Sequence, residues 1–77
     1  MSKIKQRREL RRRFAIALEE LDALGESLRD AYRCFNTCTD PEILEACILE
    51  ISALHSRRSA ALRNIKSMDG DKIKWQL

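Results

Sequence analysis

Valine is absent from the 77-residue chain, proline occurs once, glycine twice, and aromatic residues make up only 5%. A sheet needs β-branched residues along its strands and turn residues between them, so these shortages exclude most β architectures and leave long helices. No apolar run approaches the ~20 residues that cross a bilayer. No charged-then-apolar segment with a small-residue cleavage site stands at the N-terminus, and three cysteines cannot all pair within one chain, so a reducing cytoplasm is the expected setting. At 9.0 kDa the chain is one domain at most, and a multi-domain enzyme is excluded.

What is present is regular. The single proline, Pro41, divides two stretches of helical periodicity. Proline suits the first helical position, and Asp40 before it is placed to cap the second helix, with Glu42 and Glu45 adding negative charge near the positive end of the dipole. Asn36 and Thr37 are the expected terminators of the first helix, since Asn tolerates a left-handed residue there.

A seven-residue frame places Phe14, Leu21, Leu28 and Phe35 at one core position of the first helix and Leu10, Ala17, Leu24, Ala31 and Cys38 at the other. Leu18, Gly25 and Tyr32 flank them. In the second helix Leu44, Ile51, Arg58 and Ile65 alternate with Cys47, Leu54, Ala61 and Met68, and Ile48, His55 and Leu62 lie beside them. The frame predicts an all-α antiparallel two-helix hairpin over 1–68. Helix one covers about 4–36, the turn 37–40 and helix two 41–68, and 69–77 form a tail after Asp69-Gly70-Asp71. Its length is about 40 Å at 1.5 Å per residue. Phe35 is expected to face Leu44, Leu28 to face Ile51, Leu21 to face Arg58 and Phe14 to face Ile65. One partner helix cannot cover stripes of this width, so a homo-oligomer is expected, as a two-fold four-helix bundle with Arg58 against an acidic side chain such as Asp22 or at the bundle edge. The alternative is a monomer that keeps the surface for an unidentified protein partner.

Charge is segregated. Residues 1–18 carry Lys3, Lys5, Arg7, Arg8, Arg11, Arg12 and Arg13 against Glu9, a net +6. Residues 19–50 are net −7 and residues 51–77 net +4. A hairpin brings both basic segments to one end, a pole that attracts phosphate, with Arg7, Arg8, Arg11, Arg12, Arg13, Arg63 and Lys66 as candidate contacts. Base-specific readout is not expected, because the asparagine and small residues that a basic-zipper region aims at base edges are missing between Lys5 and Phe14. A membrane-surface role for this arm, with Ile4, Leu10 and Phe14 as its apolar side, is the lesser expectation.

Cys34, Cys38 and Cys47 gather near the turn, where three thiolates could in principle hold zinc, but their spacing matches no common zinc pattern and Cys38 and Cys47 also fit the core stripe. No cofactor is expected. His55 is the only histidine and belongs at an interface edge, and no nucleophile, acid–base pair or phosphate loop accompanies it, so an enzyme is not expected. Trp75, flanked by Ile73 and Leu77, is a candidate anchor for a partner's groove, the equal alternative being that it folds back on the hairpin.

The segment Ala31-Tyr32-Arg33-Cys34-Phe35-Asn36-Thr37-Cys38-Thr39-Asp40-Pro41-Glu42, continued through Ile51-Ser52-Ala53-Leu54-His55-Ser56-Arg57 to Leu62-Arg63-Asn64-Ile65-Lys66, resembles the YaaL-like family, short helical proteins of spore-forming Gram-positive bacteria whose function is unknown. The resemblance covers roughly residues 18–66 and is most specific where an aromatic residue and Asn precede Thr-Asp-Pro-Glu. It implies a helical hairpin in a cytoplasmic setting and brings no catalytic residues. The function expected from these readings is a small non-enzymatic protein–protein interaction or adaptor protein, the alternative being a nucleic-acid accessory protein that contacts phosphates through the basic pole.

Overall fold

The structure, a computed structural model, describes the backbone of residues 2–76 and the side chains of residues 2–68. It is an antiparallel pair, α1 (Lys3–Thr37) and α2 (Pro41–Gln76), joined by residues 38–40, with no strand among the described residues. The expected all-α hairpin is therefore the fold. Its extents are 57 × 16 × 15 Å, longer than expected: helices of 35 and 36 residues span about 53–54 Å at 1.5 Å per residue, α2 running well past its predicted end.

At the start of α1, extended Ser2 caps the helix, its hydroxyl accepting the Lys5 N–H at 3.3 Å. At the far end the expected left-handed Asn36 does not occur, and no described residue, glycine included, has positive φ. Asn36 stays helical, the Thr37 hydroxyl donates to the Arg33 carbonyl at 2.9 Å, and extended Cys38 donates its N–H to the Cys34 carbonyl at 3.0 Å. Those bonds occupy the last carbonyls without a left-handed residue. Across the linker, Asp40 caps α2 as expected: its carboxylate accepts the Glu42 N–H at 2.9 Å and its carbonyl accepts the Leu44 N–H at 2.9 Å. Pro41 occupies the first helical position, where no donor is needed.

The predicted stop at Asp69-Gly70-Asp71 is corrected: α2 continues through it to Gln76, and residues 69–76 are helix, not tail. One helical glycine costs only about 1 kcal/mol relative to alanine, and no proline interrupts this stretch.

Ala17, Leu28, Ala31, Cys47, Leu54 and Ile65 are buried, and every one lies on the seven-residue frame. Leu28, Ala31 and Leu54 form the central cluster, with Leu24 and Ile51 packed against it, so Leu28 and Ile51 share a cluster as predicted. Phe14, Leu21, Leu44 and Ile51 are half-buried. Phe35, expected in the core, is 37% exposed. It stands in the last turn of α1, close to where the pair ends, and beside it the exposed Cys34 touches Cys47 across the pair. Arg58 is exposed in the single hairpin. No helix of the described residues is long and apolar enough to cross a membrane.

Candidate functional site

One side of the hairpin carries a continuous stripe of uncovered apolar surface, while Ile16, Ile43 and Leu49 are exposed elsewhere on the rod. Leu18, Gly25 and Tyr32 recur every seven residues on α1, as Ile48, His55 and Leu62 do on α2. The Tyr32 hydroxyl and His55 Nε2 share a hydrogen bond at 2.8 Å, their rings edge to face with centroids 6.0 Å apart, and this bond fixes both stripes on the same side. Leu18, Tyr32 and Phe35 on this side are about two-fifths exposed, and Ile48 is 53% exposed. Gly25, in the middle of the α1 stripe, is half-buried, and a Cβ added there meets nothing within 4 Å. The opposite groove is floored by Leu24 and Leu54 and edged by Ala23, Ala60 and Ala61, with Glu20, Ser27, Arg57 and Asn64 at its rim.

The Tyr32–His55 bond escapes a count of residues outward from the turn. Side chains tilt toward the N-terminus of their own helix, so in an antiparallel pair Tyr32 leans away from the turn and His55 leans toward it. The two meet although their Cα positions are out of step. Both belong to the flanking stripes, which was the available signal.

At the turn end the thiols separate into a pair and a single. Cys47 donates to Cys34 Sγ at 3.3 Å, while the Cys38 thiol is directed to the Asp40 carbonyl at a long 3.9 Å. All three are free; Cys34 is exposed, Cys38 half-buried and Cys47 buried. The bond to Cys34, then burial, push the Cys47 thiol up to about 11. Among the described residues no group of three or more Cys, His, Asp or Glu side chains is placed to hold a metal ion, so the possible three-thiolate site does not assemble: Cys38 sits in the extended linker, outside the helical seam.

At the open end Lys3, Lys5, Arg7, Arg8, Arg11, Arg12 and Arg13 are exposed along the first turns of α1, and Arg63 and Lys66 are exposed on α2. The Glu9 carboxylate accepts from Arg12 at 2.9 and 3.3 Å and from Arg13 at 3.2 Å. Arg12 first, then Arg13, holds Glu9 below the usual carboxylate range, and the same bond raises Arg12. Arg7, Arg8 and Arg11 are not part of this network. Trp75 lies outside the described side chains, although the backbone there is helical. No known family, curated protein or solved structure gives a match to the chain.

Proposed function

We propose that the chain is a non-enzymatic interaction protein that works through the Leu18–Tyr32–Ile48 side of the hairpin and pairs first with a second copy of itself. The observation that carries this reading is the uncovered apolar side with Gly25 at its centre. A helical glycine costs about 1 kcal/mol relative to alanine, and no neighbour within the hairpin requires it. A missing side chain on an apolar helix face is what close approach of another backbone needs.

Charge favours a copy in the antiparallel sense. The turn half is net −7 over residues 19–50, while residues 1–18 and 51–77 are net +6 and +4. A two-fold axis across the rod sets each acidic end beside the other copy's basic end, whereas a parallel pair would oppose like charges. Light scattering across micromolar concentrations should show a dimer, and Leu18→Glu combined with Tyr32→Glu should give a folded monomer. A wild-type monomer at 100 μM would sink the reading. A setting in the cytoplasm and kinship with the YaaL-like proteins belong to the same proposal, supported by the three free thiols and by the turn residues that build the observed hairpin.

A second reading has its own observation: Arg7, Arg8 and Arg11 stand exposed beside the half of α2 that carries Arg63 and Lys66, a pole suited to phosphate backbones. Titration of duplex DNA and structured RNA at about 50 and 200 mM salt tests it, because six or more phosphate contacts weaken binding roughly a thousandfold over that range. Binding lost when Arg7, Arg8, Arg11, Arg12 and Arg13 become Gln would favour it; no binding at low salt would end it.

A further inference from the structure

We propose that Cys34 and Cys47 form a reversible redox site, at which a peroxide or a small-molecule disulfide closes an intrachain bond that staples α1 to α2 beside the turn. The two sulfurs already touch at 3.3 Å from opposite helices, so a disulfide of about 2.05 Å needs an approach of little more than 1 Å. Access is divided between them: Cys34 faces solvent, whereas Cys47 is only 7% exposed. An oxidant therefore meets Cys34 first, with its resolving partner directly beneath. Cys38 is one helical turn beyond Cys34 but turned to the Asp40 carbonyl, and it is not the partner.

With hydrogen peroxide, the Cys34 thiolate attacks one oxygen and the O–O bond breaks, giving a sulfenic acid and, after protonation, one water. The Cys47 sulfur then displaces that oxygen, its proton leaving with the oxygen as the second water while the S–S bond forms. Two thiols lose two electrons and two protons, and the peroxide is reduced to two waters. A small-molecule disulfide gives the same bond by two exchanges, releasing two thiols, and a dithiol reverses either route. The bond lies within one chain and does not depend on self-association.

The test uses the full chain. After treatment with hydrogen peroxide or oxidised glutathione and blocking of remaining thiols, intact mass should show a single blocking group, on Cys38, and the loss of two hydrogens, with no increase in covalent dimer. Cleavage after Glu42 and Glu45 should leave the Cys34 and Cys47 fragments joined until reduced. In Cys38→Ser the link should form unchanged, and oxidation should raise the melting temperature by roughly 10 °C, reversibly. Cys34→Ser, checked for helicity, should not gain an intrachain link. A Cys34–Cys38 link, chiefly interchain bonds, failure in Cys38→Ser, or a melting temperature that does not rise would each overturn the proposal.

Discussion

At the turn end of the hairpin, Asp40 caps α2, Thr37 closes α1, and Cys34 touches Cys47 within a few residues of chain. Towards the open end only Ala17 and Ile65 are buried among the described residues, α1 begins on a longer Ser2 cap bond, and the first turns carry a row of exposed cations. One end is held by short-range hydrogen bonds and a thiol contact, the other by sparse packing between segments far apart in sequence. Order at the open end therefore depends on the central Leu28–Ala31–Leu54 cluster transmitting helix outward, and like charges work against it.

Substitutions should sharpen that contrast. The largest effect is expected for Leu54→Ala, about 3 kcal/mol from the emptied centre, a large part of the stability of so small a domain. Ile65→Ala should cost less, because the open end relaxes around it; equal losses in urea melts would show that both ends are equally coupled to the core. Next, Asp40→Ala should cost about 1 kcal/mol, since the Glu42 amide loses its carboxylate partner, and Ser2→Ala only a few tenths. A larger loss at Ser2 would reverse the comparison.

pH separates the ends in opposite directions. Cys47 holds its proton more tightly folded than unfolded, so its contribution is complete below the ordinary thiol value near 9 and is lost as pH rises from there to about 11. Glu9 holds its proton less tightly folded, so its contribution is present above the usual carboxylate value of 4.5 and fades as pH falls through the depressed one. Because Glu9 and its arginines are exposed, the acid effect should be the smallest of all, confined to helicity at the start of α1 and removed by salt. Thermal melts should fall in alkali for the wild type and less for Cys47→Ala, and should barely move with Glu9→Gln.

Much of the hairpin was legible in residue spacing. The frame that singles out Leu28, Ala31, Leu54 and Ile65 also describes their burial, because a period near 3.5 leaves a helix only one seam to bury. Pro41 after Asp40 located the cap, since both residue types have a stereochemical reason to stand there. Phe35 escaped because a linear repeat takes no account of where the partner helix ends, and the continuation of α2 past Gly70 because neighbouring helix outweighs a single poor helix former. The apolar side was visible as flanking stripes, but the cross-links Tyr32–His55 and Cys34–Cys47 depend on side-chain tilt and register, which composition does not encode.

The three-residue linker also bears on how the chain acquires its structure. Its closure brings together residues few positions apart, and each further pairing along the helices encloses only a slightly longer loop than the last. Folding is therefore expected to start at the Asp40 turn and run outward like a zipper on the microsecond-to-millisecond scale of local-contact proteins. Changes at Asp40 would then slow folding, whereas changes at Ile65 would chiefly quicken unfolding, a difference that stopped-flow or temperature-jump chevrons resolve.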